Sequence, residues 1–71
     1  LVNSVSPGVI NAGLTKKILN SKEAKKIKKD IPLNRLGQVS DVSHLVCFLC
    51  SSFNTYITGQ NFVIDGGYTS K

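Results

Sequence analysis

Cys47 and Cys50 enclose the run Cys47-Phe48-Leu49-Cys50, a spacing used by redox dithiols and zinc sites, with His44 one helical turn earlier. A reactive dithiol needs a helix start or cationic neighbours to depress its pKa, and a structural zinc needs four ligands. Here the pair lies inside an apolar helical run, and no second ligand pair accompanies it. Buried structural thiols, no metal site, and a packing or surface role for His44 are therefore expected. A second cluster could do electrostatic work. Lys16, Lys17, Lys22, Lys25, Lys26, Lys28 and Lys29 supply seven of the nine basic residues and are offset in that stretch only by Glu23 and Asp30. No aromatic residue stands among them to stack on a base, so nucleic acid is not an expected partner and a solvated helix face is. Arg35 and Asp41 can pair across a short connector, and so exposed a pair would serve geometry more than stability.

The elements that must carry these groups follow from hydrophobic periodicity. Leu1-Val2-Asn3-Ser4-Val5 alternates and is rich in β-branched residues, and Pro7-Gly8 closes it, so a strand is expected over 1–6. From Thr15 to Asp30 the pattern is helical but interrupted. Leu14 and Ile18 form one pair, and Ala24, Ile27 and Ile31 form a second stripe after Asn20-Ser21. Two short helices result, the second with Ser21 as a candidate N-cap and Glu23 at its positive end, and Pro32 stops it. After the connector Leu33-Asn34-Arg35-Leu36-Gly37, a helix is expected over 39–52 with Asp41 in its first turn. Its apolar positions exceed one stripe, so Val42, Leu45, Val46 and Leu49 are expected to face a sheet while Phe48 and a cysteine look elsewhere. Asn54 and Gly59 bracket a turn region. The continuous run Phe62-Val63-Ile64 then predicts a last strand over 61–65, buried on both faces of a parallel sheet.

Strand, helices, strand is one parallel crossover unit, an α/β arrangement that normally sits in a larger doubly wound sheet. At 71 residues there is room for one small domain, and two cysteines cannot staple it. The chain starts at Leu1 in what reads as the middle of a strand, so a longer protein with sequence ahead of this stretch is expected. No apolar run approaches the ~20 residues of a membrane helix, and no membrane partner is expected.

The succession of motifs is more specific than any one of them. Asn3-Ser4-Val5-Ser6-Pro7-Gly8-Val9-Ile10, then Ile31-Pro32-Leu33-Asn34-Arg35-Leu36-Gly37, then Phe48-Leu49-Cys50-Ser51, then Tyr56-Ile57-Thr58-Gly59-Gln60, then Asp65-Gly66-Gly67 resembles the C-terminal third of a short-chain dehydrogenase/reductase. Within that family the chain looks most like the 3-oxoacyl-acyl carrier protein reductases and the dehydrogenases close to them. The resemblance implies the strand-helices-strand end of a doubly wound Rossmann-like parallel sheet, with residues 1–71 forming the C-terminal part of a single domain. It places a substrate lid over 10–30.

The Pro-Gly loop leaves the carboxyl end of its strand, where open α/β sheets bind ligands. The resemblance implies that Pro7, Gly8, Val9 and Ile10 hold the nicotinamide carboxamide through backbone groups, Ile10 above all. Ala12 stands where many relatives carry threonine, so that hydroxyl contact is absent or supplied by Asn11. The catalytic Ser, Tyr and Lys of the family and its Gly-rich phosphate loop find no match in this chain. A nicotinamide-dependent oxidoreductase is implied, acting on a carbonyl or secondary alcohol, with a 3-oxoacyl thioester among the candidates. NADP is favoured over NAD by the resemblance, though the choice is made outside these residues. Partners would be a small-molecule or acyl carrier-bound substrate, the N-terminal part of the same protein, and further copies in a dimer or tetramer. The location would be cytoplasmic, or organellar given an upstream targeting signal. The competing reading is a non-catalytic interaction module of Rossmann type whose basic helices bind an acidic partner.

Overall fold

The computed structural model describes residues 1–13 and 21–70. In chain order they form strand β1 (Ser4–Pro7), helix α1 (Ser21–Lys29), helix α2 (Val39–Cys50), strand β2 (Asn61–Ile64) and a short 3-10 turn (Tyr68–Ser70). The first of the two helices expected between Thr15 and Asp30, with its Leu14 and Ile18 pair, lies outside the described residues, and so does the Ser21 side chain. The two strands pair in parallel, Ser4 opposite Asn61 and Pro7 opposite Ile64, and this is the α/β arrangement expected.

β1 begins later than the expected span 1–6 and reaches one residue further. Its early part is displaced from the ladder by a side chain. The Asn3 amide group takes the place of a backbone partner, with Nδ2 donating to the Ile57 carbonyl at 2.9 Å and Oδ1 accepting the Gln60 amide at 3.0 Å. Val2 is nevertheless held, since its amide donates to Thr58 Oγ1 at 2.9 Å and its carbonyl accepts the Gly59 amide at 2.7 Å. Thr58 and Gly59 of the Tyr-Ile-Thr-Gly motif are thus a clasp on the start of β1. Pro7 can end the strand because the next donor is Gly8, whose amide reaches the Ile64 carbonyl at 2.8 Å.

β2 stops at Ile64 rather than at residue 65, because Asp65 turns its carboxylate to the following backbone. It accepts the Gly67 amide at 2.9 Å, the Thr69 amide at 3.0 Å and the Thr69 hydroxyl at 2.7 Å, which closes the 3-10 turn. The expectation of burial on both faces also fails among the described residues. In this register Ser4, Ser6 and Asn61 share one face, where both serine hydroxyls donate to Asn61 Oδ1, and Val63 on that face is 52% exposed. Phe62 and Ile64, on the opposite face with Val5, are half-buried.

α2 starts where Asp41 accepts the Gln38 amide at 2.7 Å, satisfying one of the donors a helix start leaves over. It ends at Cys50, two residues short of the expected 52. Ser51 is extended, and both its amide and its hydroxyl turn back to the Phe48 carbonyl. Val42, Leu45 and Leu49 are half-buried as expected, but Val46 is exposed, and so are Cys47 and Cys50. Buried thiols are therefore not what the structure holds. The helix lies along a groove shared with Leu1, Val2 and Val5, and no described element covers its outer side. Phe48 is exposed, as expected. Asn54, which follows, is buried: its Nδ2 donates to the Leu49 and Ile57 carbonyls, both at 3.1 Å, and its Oδ1 accepts the Ile57 amide at 3.0 Å.

Among the described residues only Ile31 and Leu36 are buried apolar side chains, both in the connector between the helices. Such a core cannot offset the conformational entropy lost on ordering the chain. The 71-residue chain studied alone is expected to melt without a cooperative transition in calorimetry. A single sharp transition with an enthalpy near the usual ~0.7 kcal/mol per residue would overturn this.

Candidate functional site

The connector threads between the carboxyl ends of both strands and fastens each. At one end Pro32 occupies the first turn position and Asn34 returns its amide to the Ile31 carbonyl at 2.7 Å. Asn34 itself takes φ 59°, a left-handed conformation that asparagine tolerates better than most residues. The Leu33 amide donates to the Gly66 carbonyl at 3.1 Å. Gly66, at φ 65°, has to be glycine here, since a Cβ would come within 2.7 Å of Ile31 Cγ2. The glycines of Asp65-Gly66-Gly67 therefore serve close backbone passage.

At its other end the connector grips the loop that leaves β1. The Gly37 amide donates to the Val9 carbonyl at 2.9 Å, and the Gly37 carbonyl accepts the Asn11 amide at 2.8 Å, forming a parallel bridge between Ile10 and Gly37. The Ile10 carbonyl accepts the Ala12 amide at 2.9 Å. Among the described residues, the Val9 and Ile10 amides meet no acceptor. Two adjacent N–H groups are thus presented from residues whose own carbonyls are already engaged. Gly8 permits the approach: a Cβ there would lie 2.7 Å from Asp65 Cβ. A cavity of about 180 Å³ opens beside this loop, bounded by Val9, Ile10, Ile31, Arg35, Asp41 and Asp65.

The expected Arg35–Asp41 pair forms, with Nη1 3.0 Å from Oδ2. Both groups are solvent-accessible, so the pair serves geometry more than stability. The Arg35 hydrogen bond, helped by the Gln38 amide and more weakly by His44, holds the Asp41 carboxyl below the usual carboxylate range. Thr69 does the same for Asp65. Lys22, Lys25, Lys26 and Lys29 of α1 are exposed, while Ala24 and Ile27 are half-buried, which agrees with a solvated basic face; Lys16 and Lys17 lie outside the described residues. No group of three or more metal-ligating side chains gathers among the described residues, and no helix there is long and apolar enough to cross a membrane. Sequence reasoning missed the polar clasps at Asn3, Asn54 and Asp65. Their signal was faint, an Asn or Asp at an element boundary that could equally end in solvent.

A family model described as enoyl-(acyl carrier protein) reductase matches residues 1–69. The chain belongs to the short-chain dehydrogenase/reductase family. A tropinone reductase homologue of Arabidopsis thaliana is 46% identical over 68 residues, which cover 94% of this chain and 25% of the relative. A 3-oxoacyl-[acyl-carrier-protein] reductase of Rickettsia conorii is 46% identical over 66 residues, 93% of this chain and 27% of its own length. The chain thus spans about a quarter of the curated family members it matches. Two solved members superpose closely over the same stretch. A 4-hydroxyisoleucine dehydrogenase complexed with NADH gives a TM-score of 0.88 at 41% identity, covering 99% of this chain and 29% of that one. ElxO with NADP bound gives 0.85 at 37%, covering 97% and 29%. Family members with both nicotinamide cofactors therefore share this part of the fold.

Asp41, with its pKa depressed in the folded state, contributes stability that is present above the ordinary aspartate value and lost as pH falls through its own lower one. In the whole protein, Arg35→Ala is expected to move the Asp41 carboxyl back toward the ordinary range in a carbon-13 NMR titration. An unchanged Asp41 titration would remove Arg35 as the cause.

Proposed function

We propose that this chain is the nicotinamide-holding end of an NAD(P)-dependent oxidoreductase that exchanges hydride with a carbonyl or secondary alcohol. The single observation that carries the reading is the pair of unengaged amides at Val9 and Ile10, on a loop leaving a strand's carboxyl end and fixed from behind by Gly37. Pro7 ends the strand, Gly8 lets the loop pass Asp65, and Val9 and Ile10 offer N–H donors to a carboxamide oxygen. Bound there, a nicotinamide would supply or accept the hydride. The chain's own work is orientation, since a carboxamide held at fixed donors presents one ring face to the substrate. The proton would be exchanged by a tyrosine assisted by a lysine, as in the family, and neither comes from this chain. Asn11, bonded through its amide to Gly37, stands beside Ala12, where no hydroxyl is available to add a contact.

The substrate class remains a carbonyl compound; a 3-oxoacyl thioester on an acidic carrier is the candidate that the exposed lysines of α1 favour. NADP is the cofactor proposed, with NAD as the alternative. The same lysines are the one observation behind the competing reading, a non-catalytic module for an acidic partner.

The whole protein is expected to oxidise NADPH or NADH with a ketone or 3-oxoacyl thioester, faster with a carrier-bound thioester than with a small one. Gly8→Ala would press a methyl group onto Asp65 and shift the loop that follows, weakening dinucleotide binding by about fivefold or more. Absence of nicotinamide-dependent turnover across ketones and thioesters, with dinucleotide binding undetectable by fluorescence, would defeat the proposal.

The exposed apolar residues of α2, together with β2, support a proposed homodimer or tetramer. Val39, Val46 and Phe48 on the helix and Val63 on the strand are all exposed, and β2 has one strand neighbour among the described residues. Apolar area of that kind is commonly covered by another copy, and a two-fold arrangement lets a patch bury itself. Phe48→Glu is expected to shift the whole protein toward smaller species in sedimentation velocity. An unchanged oligomeric mass, or an active wild-type monomer, would rule this surface out.

A further inference from the structure

We infer that Arg35 and Asp41 are positioning residues for the Val9–Ile10 loop: by fixing the connector at Gly37 they govern the grip on the nicotinamide end of a dinucleotide and leave its other end untouched. The inference rests on the loop reading proposed above. Among the described residues neither side chain hydrogen-bonds to the loop, so the coupling runs through the backbone between them.

Asp41 Oδ2 takes two donors from the connector, the Gln38 amide at 2.7 Å and Arg35 Nη1 at 3.0 Å. The same guanidinium nitrogen also donates to the Leu36 carbonyl at 3.1 Å. One carboxylate oxygen and one guanidinium nitrogen thereby close a ring around residues 35–38. Gly37 sits inside that ring, and it is the residue that holds the Val9 carbonyl and the Asn11 amide. Gly37 lies close against Ile10, where an ideal Cβ would come within 2.5 Å of Cδ1. A glycine is also the residue with the widest backbone choice, so its orientation must be imposed from outside. The ion pair imposes it. Removing either partner frees the peptide groups around Gly37, and with them the direction in which the Val9 and Ile10 amides point. Displacements of about 1 Å at a reacting centre can cost about a hundredfold in rate, so a weak surface pair is enough to matter.

The test uses the whole protein and two probes: the reduced dinucleotide, and ADP-ribose or its 2′-phosphate, which lacks the nicotinamide. Arg35→Ala and Asp41→Ala are expected to weaken dinucleotide binding by about fivefold or more, with kcat lowered as well. Affinity for the nicotinamide-free probe should stay near wild type in both variants, and so should the melting temperature of Arg35→Ala; Asp41→Ala also loses the acceptor at the start of α2 and should melt lower. Arg35→Lys, which keeps a cation beside the carboxylate, should recover part of the loss. Equal weakening of both probes would mark a merely structural pair and overturn the inference, as would wild-type dinucleotide binding in both alanine variants. Gly8→Ala separates this from the underlying reading. If Gly8→Ala weakens the dinucleotide while the Arg35 and Asp41 variants do not, only the positioning role falls; if Gly8→Ala also leaves it intact, the loop assignment falls with it.

Discussion

The Gly66 carbonyl accepts the Leu33 amide, and at the other end of the same connector Gly37 exchanges hydrogen bonds with Val9 and Asn11. These attachments tie one stretch of irregular backbone to the carboxyl ends of both strands. A loop can be an accurate ligand holder only if its spare backbone groups are engaged and the few left over point one way. Here the carbonyls of Val9 and Ile10 are taken and their amides are left. The buried apolar side chains of the described structure, Ile31 and Leu36, lie in that connector, so what little core there is stands directly behind the candidate site.

Glycine carries this arrangement at three close passages. Gly8 passes Asp65, Gly37 passes Ile10 and Gly66 passes Ile31, and each ideal Cβ would come within 2.7 Å of its neighbour. Close passage without a side chain brings backbone dipoles together, and dipoles are what the carboxamide proposed to bind there would need. Around these passages the polar side chains act as clasps. Asn3 holds the 57–60 turn, Asn54 closes the end of α2, Asp65 closes the last turn, and Asp41 opens α2 while holding Arg35. Each replaces a backbone partner that the ladder or helix could not supply at that point.

What surrounds this arrangement is open. The Ser4, Ser6 and Asn61 face of the sheet is exposed, as are Phe53, Tyr56 and the outer side of α2. The chain matches about a quarter of the length of its family relatives, and the apolar residues of α2 outnumber those that its described neighbours cover. Cys47 and Cys50 illustrate the point: they lie in an apolar helix, yet both are exposed.

The order of the described elements, the parallel α/β arrangement and the family could all be read from residues alone, because Pro7-Gly8, Ile31-Pro32, Tyr56 to Gly59 and Asp65 to Gly67 each constrain the backbone locally, and their succession is specific. The Arg35–Asp41 pair was legible for the same reason, being six residues apart across a short connector. Boundaries and burial were not. Whether β1 begins at residue 1 or 4 depended on the Asn3 side chain reaching a turn more than fifty residues away. Whether Val63 or the cysteines were buried depended on what lies over them, and periodicity records only that a side chain is apolar. Which loop amides stay unengaged was decided by Gly37, distant in sequence and adjacent in space, and such pairing exists only once the tertiary structure has brought the two backbones together.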